Sequence, residues 1–381
     1  MKILFTGGGT GGHIFPIIAI IRQLKKIYSE ENKLEMFFLG APSGIGFSNV
    51  LKKEGIETKM ILTGKIRRYF SIKNILDFFK MPIGLVQSFW FLYIWMPDVI
   101  FSKGGFGSVP VILVGWLYRI PILTHESDVL PGLSNRLGSK FSKRIAISFN
   151  SSGEYFSKDK TALIGNPIRE EIVKICLSNN PDDKEKARNF LGLINREPLS
   201  DRKPIILVIG GSQGAKVLNQ AILRILPQLL EKYKIIHQCG SKNFEKIRKE
   251  TSQMPFIDNY RLLPFLNEDQ IASAYLLSNL VISRAGAGSI SEIAACGKPS
   301  ILIPLSNSSG DHQKKNAFAY IQKGAGTILE QENLTPNIFL NEINKILDNS
   351  ELIQKMSINA KNFAMPEAAQ KIAESLIEMG K

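Results

Sequence analysis

Residues 3–5, 35–39, 99–101, 122–124 and 144–147, then 205–209, 235–238, 280–283 and 300–304, are short, almost continuously apolar runs, and longer stretches of helical periodicity lie between them. Runs this short, with no polar face, read as strands buried on both sides, and their alternation with helices predicts parallel sheets covered on both faces. The two halves also open alike. Residues 3–5 run into a glycine-rich turn and an apolar helix over 14–27; residues 205–209 run into Gly210-Gly-Ser-Gln-Gly214 and a helix over 215–230. The pattern therefore predicts an α/β protein with two Rossmann-like, doubly wound parallel-sheet domains. Gly165-Asn-Pro-Ile-Arg169, a turn-prone stretch, is the candidate hinge, and the charged segment 181–204 holds a short helix over 182–191 followed by a surface loop.

The first turn, Thr6-Gly-Gly-Gly-Thr-Gly-Gly-His13, brings backbone N–H groups and a helix N-terminus together, an arrangement that stabilises a phosphate, a carboxylate or the reacting oxygens of a sugar. It is not the G-x-x-x-x-G-K-[ST] loop of the P-loop nucleotidases. Gly7-x-Gly9-x-x-Gly12 fits the dinucleotide fingerprint by letter, but Gly40 and Ala41 end the next strand where a ribose-binding carboxylate should stand, which weakens an NAD reading. His13, in the first helical turn, should be a neutral base or a structural histidine.

A length of 381 residues suits two domains, and 44% hydrophobic with 9% aromatic residues places the chain among globular proteins. The net charge of +14 calls for an anionic partner: nucleic acid, anionic lipid or a phosphorylated substrate. Helix-turn-helix, RNP1-like and zinc patterns are missing from the sequence, which argues against nucleic acid. Cys176, Cys239 and Cys296, odd in number and widely spaced, suggest neither a disulfide framework nor a zinc site, and a reducing, cytoplasmic location is expected. The N-terminus reads as a core strand rather than a signal peptide.

Residues 65–95 mix Lys65, Arg67, Arg68, Lys73 and Lys80 with Tyr69, Phe70, Phe78, Phe79, Phe89, Trp90, Phe91, Tyr93 and Trp95. The apolar part, 83–95, is too short to span a bilayer. The segment 65–80 reads as a membrane-facing element, and 85–95 either as part of it or as a buried helix.

Three further stretches carry candidate chemistry. Ala287-Gly-Ser-Ile-Ser-Glu292 opens a helix after the strand 280–283, so its N-terminus could hold a diphosphate while Glu292 accepts hydrogen bonds from a ribose diol; Ser289-x-x-Glu292 is equally a capping box. Gln313 and Asn316 share one helix face and could bind sugar hydroxyls. Thr124-His-Glu-Ser-Asp128 follows a strand end, where open α/β sheets bind ligands. His237 reads as structural.

Gly9-Thr-Gly-Gly-His13, Lys103-Gly-Gly-Phe-Gly-Ser108, His125-Glu126, Gly165-Asn-Pro-Ile-Arg169, Gly210-Gly-Ser-Gln-Gly214, Arg284-Ala-Gly-Ala-Gly-Ser-Ile-Ser-Glu292 and Asp311-His-Gln-x-x-Asn316, in that order along essentially the whole chain, closely resemble the MurG glycosyltransferases of bacterial peptidoglycan synthesis. The resemblance implies a GT-B architecture, two such domains facing across a cleft: 1–165 with 363–381 as the acceptor and membrane-associated domain, and 166–362 as the UDP-N-acetylglucosamine domain. It implies inverting transfer of N-acetylglucosamine from UDP-N-acetylglucosamine to the muramoyl 4-hydroxyl of undecaprenyl-diphospho-muramoylpentapeptide, by a peripheral protein on the cytoplasmic face of the cell membrane. Carried over position by position, the donor meets Thr10, Gly11, Gly12, Asp128, Arg169, Ser212, Leu266, Ala287, Gly288, Ser289, Ile290, Ser291, Glu292 and Gln313; His13 is the candidate base, with Glu126 its rival. The family usually has Gln-Asn after His-Glu, whereas Ser127-Asp128 stands here. Without an Asp-x-Asp motif, no cofactor and no metal are expected.

Overall fold

The structure, a computed structural model, describes residues 1–8, 11–28, 34–41, 45–64, 72–178, 180–193, 203–210, 215–306 and 309–381. Thr10, Ser212 and the basic–aromatic stretch 65–71 lie outside the described residues, as do the side chains of 72–79.

Among the described residues the first sheet has seven strands: β1 (Lys2–Thr6), β2 (Glu35–Gly40), β3 (Glu57–Met60), β4 (Val99–Ser102), β5 (Ile122–Glu126), β6 (Arg144–Ile147) and β7 (Thr161–Leu163). They are all parallel, in the order β3-β2-β1-β4-β5-β6-β7. The second sheet has six, β8 (Ile205–Ile209), β9 (Lys234–Gln238), β10 (Tyr260–Leu263), β11 (Leu280–Ser283), β12 (Ser300–Leu302) and β13 (Thr327–Ile328), parallel in the order β10-β9-β8-β11-β12-β13. The continuous apolar runs became the central strands, buried on both faces as β1, β4, β8 and β11 require.

In each sheet the strand order reverses beside the first strand, between β1 and β4 and between β8 and β11. Connections leave in opposite directions there and open a crevice at the carboxyl ends, the place where doubly wound sheets bind ligands. β1 and β8, the strands that lead into the two glycine-rich stretches, border these switch points; residues 9–10 and 211–214 of those stretches lie outside the described residues.

The chain divides into two compact units, Met1–Ile168 with Met365–Lys381, and Arg169–Ala364. The C-terminal helix Ala368–Gly380 belongs to the first. Its Ile372, Ala373 and Leu376 are buried with Ile3, Phe5 and Ile17 in one core, and Glu378 accepts a two-pronged hydrogen bond from Arg144 at 2.5 and 2.8 Å.

The helix Ile72–Trp95 has two characters. Leu92 and Trp95 enter a core with Phe37, Ile100 and Val111, whereas Ile83, Val86, Trp90, Tyr93 and Ile94, three or four residues apart and so on one stripe, are exposed. Trp90 keeps 60% of its surface, and Met96, Trp116 and Leu117 are exposed as well. Among the described residues, no helix is long and apolar enough to cross a membrane.

Contrary to the expectation from their spacing, Cys176 and Cys296 form a disulfide, with Cα atoms 4.9 Å apart. Spacing 120 residues apart in sequence carries no signal of this; the contact exists because the helices Glu170–Leu177 and Ala287–Ala295 lie side by side.

Candidate functional site

At the first switch point two loops are pressed together backbone to backbone. The Gly8 N–H donates to the Gly104 carbonyl at 2.8 Å and the Lys103 N–H to that of Thr6 at 2.9 Å. Gly104 and Gly105 have φ of 86° and 85°, and a Cβ on Gly105 would stand 2.9 Å from the Gly8 backbone, so only glycine fits. Gly40, at the end of β2, is equally constrained: a Cβ would lie 2.7 Å from the Gly7 carbonyl oxygen. Close approach, rather than ribose recognition, is thus the reason no acidic side chain stands there.

His13, in the first turn of the helix Gly11–Ile27, sets its ring beside these loops; a Cβ on Gly105 would come within 3.6 Å of its Nε2. Burial, helped by the Lys103 charge and opposed by Asp128, pulls the imidazole down to about 4, so it is neutral at physiological pH.

β5 ends in His125 and Glu126, both buried. Glu126 organises the turn after it, since its carboxylate accepts from the N–H of Asp128 at 2.9 Å, from that of Gly132 at 3.2 Å and from Asn135 Nδ2 at 2.8 Å. Burial, then the Asp128 charge, push this carboxyl up to about 7 against those hydrogen bonds and the Lys103 charge. Lys103, at the end of β4, was not among the residues singled out for chemistry. Its ammonium donates to His125 Nδ1 at 2.6 Å, to Asn166 Oδ1 at 3.1 Å and to Ser127 Oγ. With an ammonium at Nδ1, the His125 ring carries its proton on Nε2 and donates to the Gly165 carbonyl at 2.9 Å.

In the second unit the helix Ala287–Ala295 begins at Gly286 with no side-chain cap, so Ser289 is not its N-cap and the capping-box reading does not hold. The N–H groups of the first helical turn point out of the carboxyl end of the sheet, beside the switch point. Glu292 lies two turns in, almost fully buried. It accepts from Arg169 Nε and Nη2 at 2.9 and 2.8 Å and from the Tyr275 hydroxyl at 3.2 Å. Burial works against the guanidinium charge, but Glu292 outweighs it and holds Arg169 above its ordinary value. The Tyr275 hydroxyl is pushed far up, first by burial and then by the same carboxylate.

The chain matches the glycosyltransferase family 28 N-terminal domain over residues 3–147 and the family 28 C-terminal domain over residues 205–372. It is 38% identical, over 99% of its length and 97% of the relative's, to the UDP-N-acetylglucosamine–N-acetylmuramyl-(pentapeptide) pyrophosphoryl-undecaprenol N-acetylglucosamine transferase of Clostridium tetani. The chain belongs to the MurG family of glycosyltransferases. A Bacillus anthracis relative of the same designation, numbered 2, is 37% identical over 99% of both chains. A crystal structure of MurG from Acinetobacter baumannii superposes with a TM-score of 0.73 at 26% identity, covering 99% of each chain. Two parallel-sheet domains of the GT-B type are the family's architecture.

Of the residues carried over from the family, Gly11, Gly12 and Asp128 lie in the first unit, and Arg169, Leu266, Ala287 to Glu292 and Gln313 in the second. In the first, Gly11 and Gly12 open the helix that bears His13, and Asp128 follows the Glu126 turn. In the second, Ala287, Gly288, Ser289, Ile290, Ser291 and Glu292 form the start of one helix, with Arg169 against Glu292. Leu266 is buried in the core below, before the helix Glu268–Leu277. Gln313 accepts from the Leu305 N–H at 3.0 Å and so braces the loop after β12. Asn316, expected to face sugar hydroxyls, is instead fully buried and donates to the Ala285 carbonyl at 3.4 Å, which ties its helix to the turn before Ala287. His237 is structural, held between Tyr260 and Asn219 at 2.8 and 3.0 Å and depressed by burial to about 3.

Proposed function

We propose that this protein transfers N-acetylglucosamine from UDP-N-acetylglucosamine to the muramoyl 4-hydroxyl of undecaprenyl-diphospho-muramoylpentapeptide, with inversion at the anomeric carbon. The observation that carries the reading is 37–38% identity, over 99% of this chain, to relatives named for this reaction.

Inverting transfer needs a base for the acceptor hydroxyl and a positive environment for the departing diphosphate. His13 is the base: it is neutral near pH 7 and stands in the first turn of its helix as a partly buried residue, whereas Glu126 is buried under three donors. Glu126 shapes the loop that presents Asp128. The N-terminus of the helix Ala287–Ala295 stabilises the diphosphate, and Glu292, oriented by Arg169 and Tyr275, receives the ribose hydroxyls. The departing charge is met by backbone N–H groups, so no metal is needed; loss of activity in chelator, restored by a divalent ion, would overturn that statement.

The acceptor is lipid-linked, and the exposed stripe of Ile83, Val86, Trp90 and Tyr93, with Trp116 and Leu117, is the face that meets the membrane on its cytoplasmic side. A protein of charge +14 approaches anionic lipid readily. The decisive assay is transfer of labelled N-acetylglucosamine to a short-chain lipid-linked muramoylpentapeptide. Turnover by the wild type is expected; a folded protein that binds UDP but transfers nothing overturns the acceptor assignment.

A further inference from the structure

Lys103 is a cation buried to 2% of its surface in the first unit, at the carboxyl end of β4. Its three N–H bonds are used completely, by His125 Nδ1, Ser127 Oγ and Asn166 Oδ1, and these acceptors come from two separate segments: the end of β5 with the loop after it, and the stretch that leads out of the first unit. Ser127 reinforces the link by donating to Asn166 Oδ1 at 3.2 Å, and His125 by donating to the Gly165 carbonyl. Asp128, the residue at which this chain departs from the family's usual asparagine, would place a second negative charge beside Glu126. Lys103 supplies the charge that offsets it.

We infer that Lys103 is a positioning residue for the transfer reaction: one buried ammonium fastens His125 and Ser127 to Asn166 and so holds the Glu126–Asp128 pair in its working arrangement. The inference rests on the transfer reading above. The groups facing Glu126 are Lys103, Asp128, Asn135 and the N–H groups of Asp128 and Gly132, and His13 feels both Lys103 and Asp128. Burial drives Lys103 down to about 7, and the charges of Glu126 and Asp128 restrain that fall, which is the behaviour of a cation retained for its neighbours. Because Lys103 lowers the Glu126 carboxyl and Asp128 raises it, removing either charge moves Glu126 in opposite directions.

That opposition gives the test. In the full-length protein, Lys103→Met is expected to lower kcat about tenfold or more while leaving donor KM within about twofold, and to move the acid limb of the kcat profile to higher pH. Asp128→Asn moves the limb to lower pH. In the double variant the limb returns toward the wild-type position and the two kcat losses are less than multiplicative. An unshifted profile in Lys103→Met, or strictly multiplicative losses, overturns the inference. Should Lys103→Met fail to fold, judged by its thermal transition, Lys103→Gln takes its place with the same expected outcomes. Failure of the transfer reading is seen separately, as absence of turnover in the wild type.

Discussion

His13 and Glu126 exchange the ionisation habits of their side-chain types, a histidine depressed to about 4 and a carboxyl raised to about 7. Ionised, Glu126 accepts its three hydrogen bonds more strongly than when protonated, so kcat should fall as pH drops through about 7, and Glu126→Gln should lose that limb. His13→Ala should lower kcat by about 10²- to 10⁴-fold with little change in donor KM. A loss confined to KM would remove His13 from the chemistry. In the second unit, Glu292→Ala removes the carboxylate that accepts two hydrogen bonds from the buried Arg169 guanidinium. Donor KM should rise, and the unit should lose on the order of 3 kcal/mol, read from denaturant unfolding of Glu292→Ala and wild type side by side. The glycines and His13 could be recognised in the sequence because backbone approach and helix start have local signatures. Lys103 could not, because a lysine's role depends on acceptors that lie 22 to 63 residues away.

The helices Glu170–Leu177 and Ala287–Ala295 are joined twice, by Arg169–Glu292 at one end and Cys176–Cys296 at the other, so the segment that follows the candidate hinge is fixed to the helix Ala287–Ala295. A loop closed over 120 residues should contribute on the order of 2–4 kcal/mol, and Cys296→Ser should lower the thermal transition of the oxidised protein to that of the reduced one. Equal transitions for oxidised and reduced wild type would count against it. For the helix Ile72–Trp95, replacing Val86 and Trp90 by serine removes apolar area already in contact with water, so the fold should persist while binding to anionic vesicles weakens. Unchanged binding would move the membrane face elsewhere. The central strands were legible because burial on both faces leaves a continuous apolar run. β3, β7, β10 and β13, the edge strands of the two sheets, carry mixed, partly exposed residues and gave no such run.

Across the whole molecule, pH acts on stability through groups whose ionisation differs between folded and unfolded chain. His13, His125 and His237 are all depressed by burial, so the unfolded chain holds extra protons below 6.5, and the stability these groups contribute above that pH is lost as pH falls toward 4. Glu126 acts in the opposite sense: raised from 4.5 to about 7, it makes stability fall as pH rises through that window. Three groups oppose one, and the thermal transition should drop from pH 6.5 to 4, with His237→Gln reducing the slope. Strand, turn and helix periodicity, two similar halves and the ordered motifs were determined by the sequence alone, because each depends on residues near one another along the chain. Tertiary structure alone decided the disulfide, the Lys103 network, the burial of Asn316 and which face of the helix Ile72–Trp95 stays exposed. In each case the deciding interaction joins side chains far apart in sequence, or sets one face of an element against the core, and periodicity cannot encode the identity of a distant partner.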